Sequence, residues 1–311
     1  MNAKVVVLFG AGASYGSGGL LNPPPLGNRL FSELINKFPA SWGIIDKSYR
    51  QGFEQRFENG MEQYYAHIKA SASNALLPLL KDMARYFSIF GIDNMQKNLY
   101  WRLLNRYSKR LLSQEMILAT INYDCLLEFA ALSAGFNTFS YMGSSPGIKL
   151  LKLHGSCNFL VPMKNVNVGG NMIFIDGEVN YDINPVPISP SLANDVDSQL
   201  QNKTTLPGIV MYAKNKRLFF AAHQMRLILQ EFQNVVQNAS LIIIVGVKPN
   251  PADAHIWNPL INAGGQIAFI GNKRSCKQWL ASNRKLKSDI WIAKRFSCGF
   301  KHICDLIDNV I

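Results

Sequence analysis

The sequence predicts an α/β fold: a Rossmann-like, doubly wound parallel sheet with a helical insertion and a small irregular β-containing module. Three observations predict it. Short continuous apolar runs rich in β-branched residues recur along the chain, the pattern of strands buried on both faces. Segments of helical periodicity separate them. Three short motifs each close such a run: Gly10-Ala11-Gly12-Ala13-Ser14, Thr120-Ile121-Asn122-Tyr123-Asp124 and Leu153-His154-Gly155-Ser156.

The first strand is Lys4–Phe9, bounded by glycine. Tyr15–Gly27 follows, with Gly16, Gly18, Gly19 and Pro23-Pro24-Pro25, and reads as a loop. A long loop behind such a turn often closes over a ligand. Leu30, Phe31, Leu34, Ile35 and Phe38 then form one helical stripe. From about Phe53 to Gln114 nearly every residue suits a helix, with stripes such as Leu79, Leu80, Met83, Tyr86 and Phe87. Residues 28–114 therefore read as a helical insertion subdomain, which splits the core into 1–27 and 115–311.

Met116–Ile121 is the second strand, Leu126–Leu132 a helix and Ile148–Leu153 a third strand. Residues 157–207 change character: glycines, asparagines and prolines surround short β pieces such as Met172–Ile175. They read as a small module within the core. The α/β rhythm then returns. Ala221–Gln237 is a helix, Leu241–Val245 a buried strand, and Ala252–Ala263 a short helix interrupted or ended near Pro259. Gln266–Ile270 is a strand, Asp289–Ala293 an edge strand and His302–Val310 a final helix.

Composition narrows the class. Hydrophobic residues make up 48% of the 311 and charged residues 17%, which suits a sizeable core and argues against global disorder. No run of about 18 apolar residues is present, so no membrane span is expected. The N-terminus opens on a strand pattern rather than a signal peptide, so the expected location is cytoplasmic. None of the five cysteines, Cys125, Cys157, Cys276, Cys298 and Cys304, forms a C-x-x-C pair. That spacing excludes a zinc ribbon, and buried or inert thiols are expected, with no metal site. Net charge is +12. Lys273, Arg274, Lys277, Arg284, Lys285, Lys287, Lys294, Arg295 and Lys301 form a basic C-terminal cluster, either a solvated face or a contact for nucleic acid or an acidic partner.

The candidate site residues share one placement, the C-terminal ends of strands, where open α/β sheets bind ligands. Gly10, Ala11, Gly12 and Ser14 make either a diphosphate-binding turn with free N–H groups or an ordinary turn of small residues. Thr120 and Asn122 end the second strand, and Asn122 can bond a sugar hydroxyl or a water. Asp124 can join them or simply cap the next helix. His154 ends a strand beside Gly155, and an imidazole ordinarily titrates near neutrality, which suits proton transfer. Gly246 closes another strand. Asp253, in Gly246-Val247-Lys248-Pro249-Asn250-Pro251-Ala252-Asp253, orders a ligand-lining loop or sits at a helix N-terminus for its dipole. Gly271-Asn272 receives a ribose or is a plain turn.

In this order, G-A-G-A-S, T-x-N-Y-D, L-H-G-S, G-V-K-P-N-P-A-D and I-G-N, the motifs resemble the sirtuin superfamily over roughly residues 4–27 and 115–275. The resemblance implies NAD+ as the substrate that is consumed. It places Gly10, Ala11, Gly12 and Ser14 at the dinucleotide, Asn122 and Asp124 at the nicotinamide ribose, His154 as catalytic base, and Gly246 and Asn272 on the adenosine side; Thr120 and Asp253 are cofactor-binding candidates from their own positions. Protein-deacylating sirtuins carry a four-cysteine zinc module after His-Gly and a Pro-Asp-Phe-Arg stretch in the cofactor loop. Residues 157–207 hold no such tetrad, and the loop reads Pro23-Pro24-Pro25-Leu26-Gly27-Asn28-Arg29-Leu30.

The pattern is instead similar to the zinc-free sirtuin-like domains of bacterial anti-phage systems, which hydrolyse NAD+. The expectation is an NAD+ hydrolase without zinc that releases ADP-ribose and nicotinamide. Its expected partners are further copies of itself in a homo-oligomer and, by family analogy, a separately encoded HerA-type ATPase. The alternatives are an NAD-dependent deacylase or ADP-ribosyltransferase, and a non-catalytic NAD- or ADP-ribose-binding subunit.

Overall fold

In the computed structural model, which describes residues 3–71, 75–143, 147–162, 186–187, 193–202, 205–210 and 222–311, the apolar runs become strands. The first strand, β1 (Val5–Phe9), passes straight into a short helix, α1 (Ala11–Tyr15). The helices α2 (Gly27–Lys37), α3 (Lys47–Gln55), α4 (Phe57–Ala70), α5 (Leu76–Ser88), α6 (Leu99–Arg106) and α7 (Ser108–Leu112) follow. The chain then forms β2 (Met116–Thr120), α8 (Leu126–Ser133), β3 (Phe139–Ser140), β4 (Ile148–Lys152) and β5 (Gly155–Pro162). Next come β6 (Val186–Pro187), α9 (Ala193–Gln201), β7 (Thr205–Ile209) and α10 (Ala222–Asn238). The last elements are β8 (Leu241–Val245), α11 (Ala254–Ile261), β9 (Gln266–Ile270), α12 (Lys273–Asn283), β10 (Ile290–Ala293) and α13 (Phe296–Asp308).

Seven strands form one parallel sheet in the order β10-β9-β8-β1-β2-β4-β3. Every residue of β1, β2, β4 and β8 is buried, as a sheet covered on both faces requires. The chain winds from β1 outward through β2 and β4, then returns to build β8, β9 and β10 on the other side of β1. The strand order therefore reverses between β1 and β8, the position at which such sheets open a ligand crevice. Registers are level there: Phe9 lies opposite both Thr120 and Val245, and Val245 opposite Ile270. The residues that follow each strand emerge side by side.

A second sheet, antiparallel in the order β6-β5-β7, leaves this edge at Gly155. Gly155 has φ +74°, and a Cβ there would stand 2.0 Å from the Gly208 carbonyl oxygen. Only glycine lets the chain turn from β4 into β5 at that distance. With α9 these strands form the described part of the module expected over 157–207; the expected β piece Met172–Ile175 lies outside the described residues. Among the described residues no helix is long and apolar enough to cross a membrane.

One buried apolar cluster runs through the helices of 28–114 and the sheet alike. Phe9 of β1, Tyr100 of α6 and Phe296 of α13 meet with ring centroids 5.0–6.0 Å apart, so the inserted helices pack directly on the central strand. Three expectations change in detail. The final helix begins at Phe296 rather than His302, because Phe296, Ile303 and Ile307 already share its buried face. α12 lies where only a basic cluster was noted; of its residues only Cys276 is fully buried, too thin a stripe to signal a helix. α11 runs on past Pro259 to Ile261. All five cysteines are free thiols; four are buried and Cys298 is exposed.

Candidate active site

The expected Gly10–Ser14 turn is the N-cap and body of the short helix α1, which packs backbone to backbone on the turn after β8. Gly246 has φ +68°, and a Cβ there would lie 2.2 Å from the Ala13 nitrogen; one on Gly10 would lie 2.8 Å from the Gly246 oxygen. The Gly12 N–H donates to the Gly246 carbonyl at 3.0 Å. These glycines first serve the fit of two turns at the reversal point, and that N–H is used within the protein. Ala11, the first residue of α1, is exposed.

Behind the turn, Ser14 is the hub of a buried polar network. Asn122 Nδ2 donates to Ser14 Oγ at 2.9 Å, and Ser14 Oγ lies 3.0 Å from the Tyr100 hydroxyl. The Asn122 N–H donates to Thr120 Oγ1 at 3.0 Å, which fixes the backbone where β2 ends. Ser14, Thr120 and Asn122 are all buried. Buried polar groups are held by partners, and here the partners set the orientation of the Asn122 amide.

Asp124 is buried just below. Its Oδ1 accepts the Leu126 N–H at 3.1 Å, so it tethers the first turn of α8. Burial pushes its carboxyl above the ordinary carboxylate range, against the pull of Lys152 and of the hydrogen bonds from the Leu126 N–H and Ser14. Lys152, the last residue of β4, donates to the Asp124 main-chain oxygen at 2.6 Å and stands 3.1 Å from Glu128 Oε1. Both side chains of that ion pair are fully buried. Burial pulls the Lys152 ammonium down, but Glu128, with help from Cys125 and Asp124, outweighs it and holds the group above a free lysine. Burial pushes Glu128 up in turn.

His154 meets a second group of side chains. Its Nε2 lies 3.1 Å from His255 Nε2, on the first turn of α11, and 3.5 Å from Asp253 Oδ1. His154 and Asp253 are buried and His255 is half-buried. Asn250 Nδ2 donates to Asp253 Oδ2 at 3.2 Å and to Glu58 Oε1 of α4 at 2.7 Å, and Glu58 pairs with Arg56 at 2.6 Å. An inserted helix thus reaches the sheet edge through Asn250.

The remaining expected residues lie apart from these two groups. Asn272 is exposed and accepts the Ser275 N–H at 3.1 Å, which makes it the N-cap of α12. Of the basic cluster, Arg284 turns inward: it pairs with Asp289 at 2.9 Å and donates to the main-chain oxygens of Leu260, Ile261, Ala263 and Gly265. The other eight residues of that cluster are exposed.

Sequence reasoning passed over Tyr100, His255, Lys152, Glu128 and Glu58. Two signals were there to read. A lysine within a strand buried on both faces needs a buried anion, and a tyrosine on an otherwise apolar stripe needs a partner for its hydroxyl.

No protein family matches the chain, and no curated protein sequence does. Among solved structures it is similar to a sirtuin studied for substrate affinity, at 16% identity and TM-score 0.43, covering 98% of this chain and 92% of that one. It is similar to a Sir2 homologue in complex with NAD at 16% identity and TM-score 0.41, covering 99% and 89%. A Sir2 structure with a p53 peptide and NAD+ gives 16% identity and TM-score 0.42, covering 98% and 92%. The α/β assignment rests on the strand order and registers above.

Proposed function

We propose that the chain is an NAD+ hydrolase that cleaves the nicotinamide–ribose bond and releases nicotinamide and ADP-ribose. One observation carries this reading. The hydrogen-bonded Ser14–Asn122 pair and His154 stand on one sheet edge, beside the Gly10–Gly12–Gly246 contact at the strand-order reversal. Four of the five motifs that resemble the sirtuin superfamily meet there, the I-G-N of Asn272 standing apart.

The chemistry asks little of the protein beyond placement. Nicotinamide leaves from a cationic ring, so no acid is needed to expel it. The C–N bond breaks, positive charge develops on the ribose, and a water oxygen attacks the same carbon. Asn122, its amide held by Ser14, orients that water or a ribose hydroxyl. His154 takes the proton, a contribution of about 10²–10⁴-fold in rate. Asp124 and Lys152 fix the loop that carries Asn122. A dinucleotide spanning β1 and β8 sets its diphosphate at the exposed start of α1.

In this reading the NAD+ is destroyed rather than used to modify a protein, which fits an anti-phage effector held inactive until triggered. Assembly with further copies or with a separate ATPase of the HerA type supplies the trigger. The eight exposed basic residues of the C-terminal region offer a contact face for an acidic partner or nucleic acid.

The test is nicotinamide release from NAD+ by the wild-type chain, His154→Ala and Asn122→Ala, each checked for folding. Wild-type turnover with both variants reduced at least about a hundredfold is expected. Full activity in His154→Ala removes the base, and absence of turnover in every assembly state removes the hydrolase.

A further inference from the structure

His154, Asp253 and His255 each bring one donor atom to a common point: two imidazole nitrogens and one carboxylate oxygen, all within 4.8 Å of one another. His154 Nε2 is 3.1 Å from His255 Nε2 and 3.5 Å from Asp253 Oδ1. Ligand atoms held about 2.0–2.1 Å from a tetrahedral ion stand about 3.3 Å apart. The two separations from His154 bracket that edge length, and Asp253 and His255 stand within 4.8 Å of each other, so side-chain adjustment about an entering ion completes the site.

The donor set selects the ion. Two imidazoles and one carboxylate suit zinc-class divalent transition metals rather than calcium or magnesium, which take oxygen ligands. The set is also supported from behind. Asp253 Oδ2 accepts from Asn250, which also donates to Glu58, itself paired with Arg56. Outer partners of this kind hold a ligating carboxylate in place. The backbone does the rest: Asp253 ends a 3-10 turn (Pro251–Asp253), His255 opens α11 two residues later, and His154 is fixed at the end of β4.

We propose that His154, Asp253 and His255 form a binding site for a zinc-class divalent metal ion, with three protein ligands and one coordination position open. The ion would occupy the Nε2 lone pair that His154 needs to accept a proton. Metal-bound and base-competent states of His154 exclude each other, so the metal is an inhibitor of NAD+ cleavage. That second step rests on the hydrolase reading; the binding site does not.

The experiment uses the full chain, stripped with a chelator and titrated with cobalt(II) as a visible probe, then with zinc as competitor. The expected result is one equivalent of cobalt, a d–d spectrum of nitrogen and oxygen ligation without a thiolate charge-transfer band, and displacement by zinc. His255→Ala and the near-isosteric Asp253→Asn, each shown folded by circular dichroism, should weaken cobalt binding at least about tenfold, and Cys298→Ser should leave it unchanged. No stoichiometric binding, a thiolate band, or binding that survives both ligand variants overturns the site. In the same samples zinc should suppress nicotinamide release and chelator restore it. Cobalt binding as expected in a chain that never cleaves NAD+ upholds the site and removes the hydrolase reading, whereas turnover indifferent to bound zinc overturns the inhibitory role.

Discussion

Replacing Lys152 by methionine should cost about 3–5 kcal/mol of folding stability, the usual penalty for stranding one partner of a buried ion pair. The structure puts Lys152 at that extreme. Its side chain and that of Glu128 have no exposed surface, so bulk solvent does not reach the pair, and the two charges stand 3.1 Å apart. Methionine keeps most of the stem and removes the charge together with the bond to the Asp124 main-chain oxygen. Unfolding entropy of about 2.1 cal/mol/K per residue, summed over the 311-residue chain, gives about 0.65 kcal/mol/K. The melting temperature should fall by about 5–8 °C.

The pH dependence has a definite sign. Burial raises Glu128, so the folded state binds that proton more tightly than the unfolded chain, and stability declines as pH rises from the ordinary carboxylate range through the raised value. Without Lys152 the carboxyl rises further, so the deficit of the variant should be small near pH 4 and largest near neutrality. At alkaline pH the raised Lys152 works the other way: its stabilisation is complete below about 10.5 and is lost as pH rises through the folded value, so the gap narrows again. Urea unfolding followed by tryptophan fluorescence from pH 4 to 11 reads this directly. A loss under about 1 kcal/mol at neutral pH, or a gap that ignores pH, would refute the account of this pair.

Three further substitutions test other parts of the structure. Gly246→Ala forces a side chain onto a residue at φ +68° against the Ala13 nitrogen, and should cost about 1–3 kcal/mol in urea unfolding; under the hydrolase reading it also weakens NAD+ binding by calorimetry. Tyr100→Phe removes the hydroxyl facing Ser14 and should cost about 1 kcal/mol; under the hydrolase reading kcat falls with little change in KM, because Asn122 loses its fixed orientation. Arg284→Ala should destabilise the chain by about 3–5 kcal/mol, since it strands Asp289 and four main-chain oxygens, whereas Lys285→Ala beside it should stay within about 0.5 kcal/mol.

The sheet was legible because its strands are buried on both faces: Leu241–Val245 and Gln266–Ile270 have the same bounds in sequence and structure. Placement of the motif residues at strand ends followed from the same runs. What lies behind them did not. Tyr100 meets Ser14 across 86 residues and Glu58 meets Asn250 across 192, contacts set by how the inserted helices fold back and not by any local pattern. His255 carries no signal in the sequence, since nothing in A-D-A-H-I-W says which strand end it will face. Lys152 was read as part of an apolar strand, although a lysine at that position already implied a buried carboxylate. The sequence leaves Gly10–Gly12 open between a diphosphate turn and an ordinary turn of small residues, and the structure shows these glycines first fitting against Gly246.

The most direct test of the central claim is the product balance from NAD+ incubated with the purified chain, with and without an acetylated lysine peptide, across its assembly states. The account predicts nicotinamide and ADP-ribose in equal amounts, at a rate indifferent to the peptide. Nicotinamide release that requires the peptide, or NAD+ bound and recovered intact in every state, would contradict it.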